Sequence, residues 1–347
     1  MKKGLIVFNV VLILMGISLT TAAFSQDKAF VKNPDVLNKK KGIEGWNPYL
    51  TIGGTVNFGH SRAVIGQMDG QSWTLGGSLD TGIDYNHGSH QWLNNLSILD
   101  TFSYAPPINE FVKATDNFIF HSEYYYMIPS VKWFGFFADF KLESSMFEGS
   151  DVRSDYNNQW VVDGQVVHHG HRMKLTESFQ PLTLKEVVGL FARPFSGKAF
   201  QWQFTAGFGS YQVFADGQFV LNDDPATTDI ELKRLKTYVQ AGATLGTEIK
   251  GLVLKDRLTY RAYADSMFPF VHTNDTDNRS IAELTNVELG AKLSVKIFSW
   301  ASLDYEFKAI RQPQMLDKFQ IQNNLLLTFK YTPVKKRTKA DKKSAKK

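Results

Sequence analysis

Residues Ser72 to Tyr85 read Ser-Trp-Thr-Leu-Gly-Gly-Ser-Leu-Asp-Thr-Gly-Ile-Asp-Tyr. One register holds Trp73, Leu75, Gly77, Leu79, Thr81, Ile83 and Tyr85; the other holds Ser72, Thr74, Gly76, Ser78, Asp80, Gly82 and Asp84. A period of two with one apolar and one polar face is a β-strand. The apolar face has aromatic residues at both ends and aliphatic residues between. A strand that crosses a bilayer has this pattern, because its rings sit at the two interfaces and its polar face lines a lumen.

The pattern repeats along the chain. Upstream, Pro48–Phe58 sends Leu50, Ile52, Val56 and Phe58 to one side. Downstream, Gln91–Tyr104 is less regular, since Asn94 and Asp100 fall in the register of Trp92, Leu96 and Ile98. Asn117–Ile128 and Val131–Ser144 follow, the latter with Phe134, Phe136, Ala138, Phe140 and Leu142 on one face. Pro181–Arg193, Phe200–Phe214, Thr237–Ile249 and Leu254–Ala264 continue the series, and Leu284–Ile297, Ala301–Arg311 and Phe319–Tyr331 complete it. Twelve strands of this length suit tilted bilayer crossings of about 9–11 residues. The expected fold is all-β: a transmembrane antiparallel up-and-down β-barrel of about twelve strands. An even count closes the sheet without an edge in lipid and puts both termini on one side.

Connection lengths test this independently. Gaps after the second, fourth, sixth, eighth and tenth strands run 5, 2, 6, 4 and 3 residues; those after the odd-numbered strands run 13, 12, 36, 22, 19 and 7. Short periplasmic turns alternating with longer extracellular loops is the outer-membrane rule, and a soluble β-sandwich has no reason to obey it.

The ends of the chain differ from its middle. Met1-Lys2-Lys3, the apolar run Leu5–Leu19 and Ala23-Phe24-Ser25 read as a secretory signal peptide over residues 1–25; the run is short for a membrane anchor. Residues 26–45 read as a polar periplasmic lead, 46–333 as the barrel and 334–347 as a basic, disordered tail. The net charge is +5; residues 335–347 carry +7 and the signal +2, so +5 − 7 − 2 leaves −4 for residues 26–334. The basic balance therefore belongs to the tail and not to a nucleic-acid-binding surface. With no Cys and a mean hydropathy of −0.24, disulfides, thiol metal sites and helical membrane spans are excluded.

The run Gln71–Asn94, with Trp73, Gly76-Gly77, Ser78-Leu79 and His90-Gln91-Trp92-x-Asn94, resembles a family of outer-membrane barrels of Gram-negative bacteria with no assigned activity. Further likeness at Lys113–Tyr126, Ser178–Pro194 and Leu289–Tyr331 extends it over most of the mature chain. The resemblance implies fold and location, not function. Phe329-x-Tyr331 also resembles the terminal signal read by the barrel-insertion machinery, although Leu326 stands where Gly is usual and the chain runs on into the tail.

Little in the chain points to chemistry. His168-His169-Gly170-His171 is the only clustered set of imidazoles; it follows a hairpin turning at Asp163-Gly164 and lacks a spaced fourth ligand, so a solvated loop is expected and no metal or other cofactor. No spacing of Ser and His singles out a triad, so an outer-membrane hydrolase is the third reading. Gly53-Gly54 and Gly76-Gly77 lie inside strands and read as barrel curvature.

The inward registers carry more information. Thr51, Gly53, Thr55, Asn57, Gln320, Gln322, Asn324 and Thr328 form a neutral polar wall. Elsewhere the expected lumen carries Asp80, Asp84, Glu123, Asp139, Lys141, Glu143, Glu248, Arg257, Arg261, Glu288, Lys292, Lys296, Asp304, Glu306 and Lys308. Pairing Ile297 with Ala301 sets Lys292 opposite Glu306 and Ser294 opposite Asp304. Twelve strands give a backbone diameter of about 24 Å, which side chains narrow to about half. The leading reading is a narrow channel for small polar or ionic solutes; the alternative is a non-conducting barrel stitched shut by ion pairs, whose extracellular loops or periplasmic tail bind a partner. The expected partners are outer-membrane lipid, the barrel-insertion machinery, a small polar solute and a periplasmic partner for the tail.

Overall fold

The computed structural model describes residues 44–61, 70–104, 106, 108–224, 226–273 and 279–334. The expected signal peptide, nearly all of the lead and the basic tail beyond Val334 lie outside the described residues.

Period-two alternation produces strands of barrel length throughout. They are β1 (Gly45–Ser61), β2 (Gly70–His87), β3 (His90–Tyr104), β4 (Phe111–Met127), β5 (Phe134–Ser144), β10 (Leu182–Ser196), β11 (Gln201–Phe214), β14 (Tyr238–Val253), β15 (Leu258–His272), β16 (Asn286–Phe298), β17 (Ala301–Gln312) and β18 (Leu316–Val334). Each pairs antiparallel with its neighbour in this order, and β18 returns to β1 through Ile52↔Tyr331 to Val56↔Leu327. The sheet is a closed twelve-stranded barrel, so no row of backbone donors and acceptors is left unpaired in lipid.

All twelve expected strands form, with the ends of four corrected. Leu254, Lys255 and Asp256 have φ of 52°, 55° and 68°, a turn conformation, so β15 starts at Leu258 and runs on to His272. Leu284 is not in β16: it ends the helical turn α1 (Ile281–Leu284), which Ser280 and Glu283 close as a reciprocal capping box. β4 starts at Phe111, six residues before Asn117, and β18 at Leu316, so its connection to β17 is only Pro313–Met315. At one end of the barrel lie the short turns together with the start of β1 and the end of β18. We call this the lower end.

The outward register forms the lipid belt. Exposed Ile52, Leu75, Phe136, Val188, Phe208, Leu245 and Leu327 fill its middle. Trp46, Trp92, Trp133, Phe298, Trp300 and Tyr331 ring the lower end; Trp73, Phe102, Phe111, Phe214 and Phe319 ring the upper. Such a band, apolar between two aromatic girdles, is the surface of an outer-membrane β-barrel. The irregular Asn94 is satisfied within the lower girdle, where it accepts from the Ser122 hydroxyl (2.9 Å), which accepts from the Trp92 indole (2.9 Å).

The two longest upper connections fold on their own account. They contain β6 (Gly149–Val152), β7 (Asn158–Val162), β8 (Gln165–Gly170), β9 (Arg172–Thr176), β12 (Phe219–Leu221) and β13 (Ile230–Arg234). β6 pairs with β9, and β12, β13, β7 and β8 form a four-stranded sheet in that order. The parallel pair of β13 with β7, Ile230↔Trp160 to Leu232↔Val162, ties one connection to the other. Trp160, Val162, Leu175, Ile230 and Leu232 form its core, and the fully buried Trp160 donates its indole N–H to Asp151 (2.9 Å). Asp163 and Gly164, both with positive φ (52° and 75°), turn the β7–β8 hairpin as expected.

Candidate functional site in the barrel lumen

Inward side chains gather at three levels of the lumen. At the lower level, Tyr125, Phe137, Val187 and Phe191 from β4, β5 and β10 pack together. The Arg193 guanidinium lies 5.2 Å from the Tyr125 ring centre and donates to Gln203 Oε1 (3.0 and 2.6 Å). Gln203 in turn donates to the Tyr125 hydroxyl (3.1 Å). At the upper level, Tyr211, Val213, Ala215, Leu235, Tyr238 and Met267 form a second apolar cluster, joined by Val220 and Met315. There Gln312 of β17 bonds Tyr211 of β11, four strands away around the ring.

Charges occupy the level between and reach down into the lower one, where Glu248 lies across from Gln203. Lys292 pairs with Glu306, and Ser294 donates to Asp304, which also accepts from Ser302 (3.1 Å) and Lys330 (3.3 Å). The register is the one expected, Lys292↔Glu306 and Ser294↔Asp304. At the turn, a bulge sets Phe298, in place of Ile297, opposite Ala301. Glu248 pairs with Arg261 and Lys250. Lys141 meets Glu143 at 3.0 Å. Glu288 accepts from the Tyr263 hydroxyl (2.8 Å) and lies 3.7 Å from Lys308. Asp139 meets His121 at 2.7 Å, and Glu123 accepts from the Tyr125 hydroxyl (3.0 Å). Asp80 accepts from Asn95 (2.6 Å), and Asp84 is buried further down β2.

A contact among the described residues crosses the lumen. Lys308 of β17 reaches to 4.0 Å from Glu143 of β5. These strands are six positions apart in a ring of twelve, on opposite walls. The side chain of Lys308 is 4% exposed and that of Glu143 10%.

Two of the fifteen expected lumen residues are elsewhere. Arg257 is exposed on the β14–β15 turn because the strand it was assigned to starts after it, and Lys296 is exposed beside it at the lower rim, its N–H bonded to the Arg257 carbonyl (2.7 Å). They do not join a charged wall inside the barrel. Conversely, His121, Lys185 and Asp265 line a central cavity of about 120 Å³ with Glu123, Asp139 and Glu288. Asp265 was hidden by the early end expected for its strand. His121 shares the inward register of Glu123, a signal the sequence carried. The three imidazoles after Val167 do not converge: His168 lies beside Trp160 (5.4 Å between ring centres) and His171 beside Tyr156 (4.5 Å).

No protein-family model and no curated protein matches the chain. Among solved structures, the chain is similar to the β-domain of the Bordetella autotransporter BrkA at 10% identity, covering 83% of this chain and 99% of that one, with a TM-score of 0.36. It is similar to the translocator domain of the autotransporter NalP from Neisseria meningitidis at 9% identity, covering 86% and 91%, with a TM-score of 0.36. An outer-membrane channel from Pseudomonas putida F1 gives 9% identity, coverage of 89% and 98%, and a TM-score of 0.35. Likeness at this level assigns no function. The fold rests on the molecule's own geometry: a closed twelve-stranded outer-membrane β-barrel whose upper connections form a folded cap.

Proposed function

We propose that this protein is a closed outer-membrane scaffold that holds its folded cap at the cell surface, with its lumen serving as a core and not as a solute path. The contact between Lys308 and Glu143 carries this reading, since it joins opposite walls at a level where both side chains are almost fully buried. A solute path needs continuous water, and opening one here means separating buried ion pairs. Each charge also has a nearer partner on its own side, Glu143 with Lys141 (3.0 Å) and Lys308 with Glu288 (3.7 Å), so the crossing is one link in a network of buried charges. The cap has its own apolar core, so it can present a fixed surface where extracellular loops usually vary in conformation.

The native chain has no Cys, which makes a labelling test clean. Asn157 is exposed on the cap, and Ser299 is exposed on a lower turn. On intact cells, a membrane-impermeant maleimide should label Asn157→Cys and leave Ser299→Cys unlabelled until the outer membrane is opened. Labelling of Ser299→Cys alone would put the cap in the periplasm and end the reading.

A further inference from the structure

We propose that His121, Glu123 and Asp139 form a binding site inside the lumen for one divalent transition-metal ion of the zinc or manganese class. His121 and Glu123 are two residues apart on β4, so both point inward. Asp139 on β5 is directly across from Glu123 in the antiparallel register. One ligand atom from each of the three lies within 4.8 Å of the others, and His121 Nε2 is already 2.7 Å from Asp139 Oδ2. A tetrahedral ion bound at about 2.0–2.2 Å from nitrogen and oxygen sets its ligand atoms about 3.4 Å apart. Closing the set around an ion therefore takes side-chain movements of about an ångström, with His121 and Asp139 parting slightly and no change of strand register.

The donor chemistry selects the ion. An imidazole nitrogen with two carboxylates favours zinc, iron or manganese over calcium, which takes oxygen ligands alone. The Tyr125 hydroxyl donates to Glu123 Oε1 (3.0 Å), the kind of outer bond that fixes a ligand carboxylate. The set opens on the cavity of about 120 Å³, which has room for water ligands to complete the coordination. Cations stand nearby, each with an anionic or polar partner: Lys141 at Glu143 (3.0 Å), Arg261 at Glu248, and Arg193 at Gln203 (2.6 Å). Lys185 lines the same cavity alongside Asp265 and Glu288. The competing reading is a plain hydrogen bond between His121 and Asp139 that holds the β4–β5 walls together.

The test uses the full-length barrel, refolded in detergent, stripped with chelator and dialysed against Zn²⁺ or Mn²⁺, with Co²⁺ as a spectroscopic stand-in. One ion per chain should bind, and Co²⁺ should show a band from nitrogen-and-oxygen coordination. His121→Ala and Asp139→Asn should each weaken binding by at least about tenfold, while a triple variant, His168→Ala with His169→Ala and His171→Ala, should bind as the wild type does. If His121→Ala does not refold, the near-isosteric Asp139→Asn decides. Absence of stoichiometric binding overturns the proposal. So does binding that Asp139→Asn leaves unchanged, or binding that the outer-loop triple variant abolishes.

Discussion

Gly290 and Gly77 look alike in the sequence, each a glycine inside an alternating strand, yet the barrel treats them differently. A Cβ on Gly290 would fall 2.1 Å from the ring of Tyr263, the residue directly across the β15–β16 pair. That ring lies against the glycine and sends its hydroxyl to Glu288 (2.8 Å). A Cβ on Gly77 would meet nothing within 4 Å. Gly290→Val should therefore destabilise the barrel by about 1–3 kcal/mol, as overpacking does. Gly77→Ala should stay within about 0.5 kcal/mol of the wild type. Urea unfolding in lipid, read by loss of heat-modifiable migration, checks both; equal shifts for the two variants would contradict this account. Single positions were legible in the sequence only where the strand period decides the face. Lys292 and Glu306 were readable as a pair because a tight turn fixes their register. The crossing from Lys308 to Glu143 was not, because it depends on the closure of the whole ring.

At the level of elements, alternation revealed every barrel strand, and the errors sit at strand ends: β4, β15 and β18 reach further than expected, and two apolar residues lie outside strands. Leu254 resembles the start of a strand but occupies a turn of three successive positive φ values, and Leu284 resembles one but ends a capped helical turn. The cap was legible only as one hairpin, at Asp163-Gly164. Its strands are three to six residues long, and its central pairing, β13 with β7, joins segments about seventy residues apart in the chain. Trp160 is the anchor of that core, fully buried and bonded to Asp151. Trp160→Ala should cost the cap about 3–5 kcal/mol, the usual penalty for emptying so large a buried site. The barrel has a separate ladder of backbone bonds, so extracellular protease should cut the cap of the variant while the folded barrel still shifts on heating. Loss of the barrel along with the cap would show that the two fold as one unit.

At the scale of the whole molecule, the width of a twelve-stranded barrel leaves two outcomes open, a narrow water path or a filled core, and only the arrangement of inward side chains separates them. Here apolar clusters pack inward from β4, β5 and β10 at the lower level and from β11, β14 and β15 at the upper, and the charged level is bridged from wall to wall. Buried ion pairs of this kind resist separation, since the low-dielectric interior makes an isolated charge costly. The central claim is that this lumen is closed, and planar-bilayer recording of the refolded wild-type protein tests it most directly. The account predicts no stepwise current at moderate voltage and physiological salt, with membrane insertion confirmed by heat-modifiable migration of the same sample. Stable, reproducible conductance steps from that sample would contradict it and restore the narrow channel.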